Sequence, residues 1–129
     1  MPNMTRKEEV KEIIKRVWRV QFKAIGDSSI EQLYEAVQAK KPLDELLNSA
    51  EGGSSFDLHS TWQLLYEAVD LTANALALYT LWKQRNERSP SKKEMLQLLR
   101  EAKIENSYSR AVLERLDILI DQIAKQDND

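Results

Sequence analysis

The segment from about Asp57 to about Arg88 constrains the fold most, because it is predicted as one continuous helix. At a rise of 1.5 Å per residue such a helix is roughly 45 Å long, which spans a whole small domain. Its apolar residues form two stripes, which are Trp62, Leu65, Val69, Ala73 and Leu76, and Leu64, Ala68, Leu71, Ala75, Leu78 and Trp82. Because a helix that is apolar over most of its circumference is a buried one, we expect it at the centre of the molecule.

Shorter helices are predicted on both sides of this central helix. Thr5 with Glu8, and Ser91 with Glu94, have the spacing of capping boxes that begin helices. Gly26 is a natural helix end, since glycine adopts positive φ angles without strain. No stretch alternates between apolar and polar residues as a half-buried strand would. The sequence therefore predicts an all-α, single-domain bundle of five to six helices around the long helix at about 57–88.

The chain of 129 residues has the length of one domain, so we treat 1–129 as a single unit. Two adjacent glycines and several serines predict a flexible loop at about 48–56, and the polar end at about 125–129 is expected to fray. The sequence has no cysteine and no purely apolar run of about 18 residues, which favours a cytoplasmic protein without a membrane partner. The long helix carries more apolar surface than five short helices cover easily, so we expect a homodimer.

A polar stripe runs along the central helix among its apolar residues. It consists of His59, Gln63, Glu67, Asp70 and Asn74, at steps of three or four residues that place them on one face. One interpretation is a solvent-facing edge, because charged side chains are rarely buried without partners. The other is a metal site in which Glu67 and Asp70, one turn apart, hold Mg²⁺ or Mn²⁺ through their carboxylate oxygens.

Two pairs of carboxylates raise a specific form of the metal hypothesis. Glu9-x-x-Glu12 and Glu67-x-x-Asp70 together resemble the motifs of the all-helical MazG-like nucleoside triphosphate pyrophosphohydrolases. The resemblance is limited to these four residues, and two predicted short helices separate the pairs here, a much longer gap than in that family. It implies a Mg²⁺-dependent nucleotide hydrolase, in which the bound metal activates water.

Basic residues cluster in two places. Lys11, Lys15, Arg19 and Lys23 recur every four residues on the first predicted helix, while residues 1–25 contain seven Lys or Arg against three Glu. Arg88 and Lys92 lie at the junction before the helix that begins at Ser91. Cations spaced by about 6 Å along a helix face can follow a phosphate backbone. The alternative is an ordinary solvated helix face, and an overall pI near 5.5 is unusual for a dedicated nucleic-acid binder.

These patterns predict a small helical binding module, with nucleic acid or a nucleotide as its ligand. The predicted phosphate contacts are Lys15, Arg19, Lys23, Arg88 and Lys92. An adaptor-type or immunity-type protein that binds a protein partner through the acidic region 27–70 is the first alternative, and the Mg²⁺-dependent hydrolase is the second. The chain has one histidine, no cysteine and no Gly-rich phosphate loop, so catalysis is less favoured and no cofactor other than Mg²⁺ is indicated.

Overall fold

The computed structural model describes residues 4–49 and 56–127, with side chains described at 4–47 and 59–127. This part of the chain folds into eight α-helices and one 3-10 turn, without any strand. The helices are α1 (Arg6–Val17), α2 (Arg19–Ile25), α3 (Asp27–Gln38), α4 (Leu43–Ser49), α5 (Phe56–Asn86), α6 (Lys92–Glu101), α7 (Arg110–Leu113) and α8 (Leu116–Asp127), and the 3-10 turn is Ile104–Asn106. The predicted all-α architecture is confirmed, although the bundle contains more helices than the expected five to six.

The long central helix is confirmed, as α5 begins at Phe56 and ends at Asn86, close to the predicted 57–88. It packs against α1, α2 and α3 and against α6, α7 and α8, so its neighbours lie on several sides. Residues from both predicted apolar stripes, such as Leu65, Ala68 and Leu71, are completely inaccessible to solvent. The small Ala68 and Ala75, both fully buried, let neighbouring helices approach α5 closely.

The first predicted helix is broken at Trp18 into α1 and α2. Trp18 has φ −114° and ψ 56°, which are not helical values, and only 2 % of the residue is accessible to solvent. In a continuous helix the Val17 carbonyl would accept from residue 21, but here it accepts from Arg115 Nη1 at 3.4 Å. The break therefore has a tertiary partner, which joins the end of α1 to the turn just before α8.

The connection before α8 is also more divided than the sequence predicts. Ile104–Asn106 forms the 3-10 turn, α7 is a single turn, and residues 114–115 form a second turn before α8 begins. Lys103, at φ +58°, has the left-handed conformation that ends α6. This irregular connection returns to α5, and its contacts there explain the polar stripe of that helix.

The C-terminal residues of α8 are helical at positions where fraying was expected. Of the predicted frayed end at 125–129, residues 125–127 belong to α8, and residues 128–129 lie outside the described residues. The Asp127 carboxylate accepts hydrogen bonds from Tyr79 Oη at 3.0 Å, Lys83 Nζ at 2.9 Å and Ser89 Oγ at 3.2 Å. These bonds tie the end of α8 to the end of α5, which is the physical reason for the difference.

Most of the predicted loop at 48–56 lies outside the described residues. The backbone of residues 48–49 belongs to α4, and that of residue 56 belongs to α5. Within the described ranges, no helix combines the length and the apolar character needed to cross a bilayer.

Candidate nucleic-acid interface

An open groove of about 680 Å³ lies between the two N-terminal helices and α8. Five of its lining side chains are cations and one is a carboxylate, and they come from three helices. The lining residues are Glu12, Lys15 and Arg16 from α1, Arg19, Phe22 and Lys23 from α2, and Gln122 and Lys125 from α8. The groove therefore concentrates positive charge in a chain whose net charge is −2.

The groove takes in only part of the predicted row of cations. Lys11 begins the row of cations predicted from the sequence, but its Nζ pairs with Glu31 Oε2 on α3 at 2.9 Å. The hydrogen bond that Lys11 donates to that carboxylate raises the pKa of Lys11 above its usual value. Lys15, Arg19 and Lys23 line the groove instead, and none of the three forms an ion pair with another described residue.

Phe22 forms part of the base of the groove. Its side chain is 6 % exposed, and Lys15 Nζ lies 6.0 Å from the centre of its ring. At that distance the ring attracts the ammonium group weakly and helps to hold it over the groove. Because Phe22 is almost completely buried, it supports the cations and does not present a face on which a ligand stacks.

The remaining two predicted contacts, Arg88 and Lys92, do not line this groove. The Arg88 guanidinium lies 4.3 Å from the Trp82 ring and donates to both carboxylate oxygens of Glu94, at 2.9 and 2.8 Å. Lys92 Nζ lies 3.5 Å from Asp121 Oδ2. Both cations are thus already paired with carboxylates, unlike the three in the groove.

Arg88 and Glu94 form a strong local pair at the start of α6. Glu94 also completes the predicted capping box, since its carboxylate accepts from the Ser91 backbone N–H at 2.9 Å. The hydrogen bonds from Arg88 and then from Ser91 lower the pKa of Glu94 to about 2. Arg88 therefore stabilises the junction between α5 and α6 through its bonds to Glu94.

The polar stripe of α5 holds the connection between α6 and α8. Asp70 Oδ2 accepts from Tyr108 Oη at 2.6 Å, and the same hydroxyl accepts from Asn74 Nδ2 at 2.9 Å. Glu67 Oε1 accepts from the Ser109 backbone N–H at 2.7 Å. The two carboxylates proposed as metal ligands therefore bind backbone and side-chain donors of one connection, Tyr108–Ser109, which we call the strap.

The four carboxylates of the MazG-like resemblance lie in different surroundings. Glu9 lies 3.9 Å from the Arg6 guanidinium, and Glu12 lines the basic groove. Glu67 and Asp70 bind the strap. In the ranges that the structure describes, no group of three or more Asp, Glu or His side chains is placed to hold a metal ion.

Two other sequence-based hypotheses concern the rest of the surface. In the acidic region 27–70, Glu31 and Glu35 pair with Lys11 and Lys7, the latter pair at 2.8 Å, so part of that charge is balanced within the chain. The expected homodimer was inferred from apolar surface that one chain leaves uncovered. Among the described residues the exposed large apolar side chains are Val20, Leu81 and Ile118, on α2, α5 and α8.

The contribution of α8 to the groove was not predicted from the sequence. Lys125 and Gln122 lie about a hundred residues from Lys15 and Arg19 along the chain, and no periodicity within one helix predicts such an approach. The available signal was Lys125 itself, a cation on the last helix. Whether α8 lies beside α1 depends on how the helices pack, including the contact between Arg115 and Val17.

Comparison of the chain with models of known families, with curated proteins and with solved structures returned no match.

Proposed function

We propose that the protein is a nucleic-acid-binding module whose basic groove holds the phosphate backbone. The observation that carries the proposal is the groove itself, whose described lining has five cations from three helices and one carboxylate. Such a site gains affinity by releasing the counterions that surround a polyanion. Its concave shape between helices also concentrates the field of the cations where a strand would lie.

The arrangement of the cations favours a chain of phosphates over a single anion. Lys15 and Arg19 are four residues apart, as are Arg19 and Lys23, and α8 adds Lys125 on the opposite side. On α2, Arg19 and Lys23 at this spacing lie about 6 Å apart, while Lys15 belongs to α1 on the other side of the break at Trp18. A backbone with phosphates at regular intervals can therefore contact several cations at once, whereas one small anion contacts only one or two.

The test is the salt dependence of binding to a fluorescently labelled oligonucleotide, measured by anisotropy. Each phosphate contact contributes a slope of about −0.7 to −0.9 to a plot of log K against log salt concentration. Replacing Lys15, Arg19 and Lys23 together with Gln should therefore reduce the magnitude of that slope by about 2 to 3 and weaken binding strongly at low salt.

A matched variant separates the groove from overall charge. Replacing Lys41, Arg85 and Lys103 with Gln removes the same net charge from exposed positions that do not line the groove, and binding should change little. Arg88→Gln is a second control, because Arg88 is paired with Glu94 and lies outside the groove lining. Salt-independent binding by the wild type, or equal losses in the two triple variants, would contradict the proposal.

A further inference from the structure

A second concave site lies on the other side of α2 from the basic groove. This cleft of about 490 Å³ is formed by α2, the N-terminal half of α5 and the start of α7. Its lining consists of amide, hydroxyl, imidazole and small apolar groups with one carboxylate. The lining residues are Gln21, His59, Ser60, Thr61, Gln63, Leu64, Glu67, Ser109 and Ala111.

This cleft, which we call the polar cleft, offers hydrogen-bonding groups that form no bond with the described part of the chain. Within the described part of the chain, the side chains of Gln21, His59 and Ser60 form no hydrogen bond. Gln63 uses one amide hydrogen on Glu67, at 3.1 Å, which leaves its carbonyl oxygen and second amide hydrogen available. These groups supply both donors and acceptors at the surface of the cleft.

The charge of the polar cleft distinguishes it from the groove. Among the described residues that line it there is neither lysine nor arginine, and Glu67 contributes a carboxylate whose oxygens already accept from Ser109 and Gln63. A phosphate would be repelled by this carboxylate and would find no cation. The cleft therefore suits a neutral ligand group that has both hydrogen-bond donors and acceptors, which is the character of a nucleobase edge.

Helix α2 connects the two sites. Successive residues of a helix are rotated by about 100°, so Gln21 lies about 200° from Arg19 and Lys23. Val20 lies between them, and its side chain is 76 % exposed. The exposed side of α2 thus leads from the cations of the groove, across an uncharged ridge at Val20, to the amide of Gln21 in the polar cleft.

We propose that the polar cleft binds a nucleobase of a single strand whose phosphates occupy the basic groove. The strand crosses α2 at Val20, whose exposed methyl groups contact the sugars. One base enters the cleft, where the exposed His59 ring provides a stacking surface and the amides of Gln21 and Gln63 contact its edge. Because glutamine amides pair with adenine through two hydrogen bonds, adenine is the base that this site prefers.

The proposal rests on the proposed function, and it follows the general division in which phosphate contacts position a strand and base contacts select its sequence. The expected ligand is a single strand, since a base that is paired in a duplex cannot enter the polar cleft. A duplex would be held by the groove alone.

The experiment compares labelled oligo(dA), an abasic strand of the same length, and a duplex of oligo(dA) with oligo(dT), by anisotropy on the full chain. Oligo(dA) should bind at least about fivefold more tightly than the abasic strand, as expected for the loss of one specific base contact. The slope with salt should be the same for both strands, because their phosphates are identical. The duplex should lack the additional affinity that the adenine base gives to the single strand.

A variant tests the same contact from the side of the protein. Gln21→Ala should lower the affinity for oligo(dA) towards that for the abasic strand without changing the salt slope, whereas the exposed Gln84→Ala, on α5 but outside the cleft, should leave both affinities unchanged. Equal affinity for oligo(dA) and the abasic strand, with steep salt dependence, would overturn the cleft and leave the groove intact. Absence of binding to every strand would overturn the proposed function as well.

Discussion

Removing the hydroxyl of Tyr108 should measure how strongly the strap stabilises the fold. This hydroxyl donates to Asp70 at 2.6 Å and accepts from Asn74 at 2.9 Å, and Tyr108→Phe deletes both bonds while retaining the ring. A hydrogen bond to a charged group contributes about 1.5–3 kcal/mol to stability. Asp70 is only partly buried, so water replaces some of the lost bond, and we expect a loss of about 1.5–2 kcal/mol.

Urea unfolding followed by circular dichroism measures this loss, and thermal unfolding should show a midpoint lowered by roughly 5–8 °C. The matched control is Tyr34→Phe, because Tyr34 is also partly buried but its hydroxyl forms no hydrogen bond with a described residue. Its effect should lie within about 0.5 kcal/mol of zero. A double-mutant cycle with Asp70→Asn should give a coupling energy of about 1 kcal/mol or more, since the two residues are in direct contact.

The pH dependence of the same variant provides an independent check. Burial, and then the hydrogen bond to Asp70, raise the pKa of Tyr108 well above the usual tyrosine value near 10. A group with a raised pKa in the folded state stabilises the protein below its unfolded pKa, and this contribution is lost as pH rises through the folded value. The stability difference between the wild type and Tyr108→Phe should therefore be constant to about pH 9 and shrink above about pH 10.

Two results would refute the reasoning about the strap. One is equal stability of the wild type and Tyr108→Phe at neutral pH. The other is additive behaviour of Tyr108→Phe and Asp70→Asn, which would mean that the observed 2.6 Å contact contributes no coupling energy.

Two further predictions concern positions where local conformation or charge stabilises a helix end. Gly26 has φ +86° and ψ 171°, a region of backbone conformation that is almost restricted to glycine. Gly26→Ala should therefore cost about 1–3 kcal/mol in urea unfolding, even though the new methyl group meets no atom within 4 Å. An effect no larger than that of Ser28→Ala, at an exposed position of α3, would contradict this. The pKa of Glu94 is lowered to about 2, so the stability that its carboxylate contributes is present above the ordinary glutamate pKa and is lost as pH falls. The thermal midpoints of the wild type and Glu94→Gln should therefore converge between about pH 4 and pH 2. A constant difference over that range would count against the Arg88–Glu94 pair.

Much of the fold was predictable from local sequence patterns. The two stripes of α5 identify a helix that must be covered on several sides, and Leu65 and Leu71 are indeed fully buried. The Thr5–Glu8 box is confirmed by hydrogen bonds in both directions, at 3.2 and 3.1 Å. Such features involve residues three or four positions apart, so one sequence contains all the information that specifies them.

The break at Trp18 was not predictable in the same way. Val17, Trp18 and Phe22 are all buried, so the apolar periodicity continues across the break. At the break, the Val17 carbonyl accepts from Arg115, 98 positions away, in place of a donor from its own helix. Tertiary packing here overrides the local preference for a helix.

The candidate sites show the same limit. Periodicity correctly placed Glu67 and Asp70 on one face of α5, but their partners Tyr108 and Ser109 come from a connection that has no regular pattern. The basic row from Lys15 to Lys23 was visible in the sequence, whereas the opposing Lys125 was not. The sequence of a helix thus predicts which of its faces is charged, but not which residues of other elements that face contacts.

The position of α8 has a consequence for the order in which the molecule is assembled. Its Lys125 completes the groove and its Asp127 joins the end of α5, so a helix that is synthesised after α1 to α7 contacts both the basic groove and the central helix. The earlier helices can begin to associate during synthesis, but the cations of α1 and α2 remain without their opposite wall until translation reaches residue 127. A nascent chain would therefore carry the basic row before it possesses the binding site.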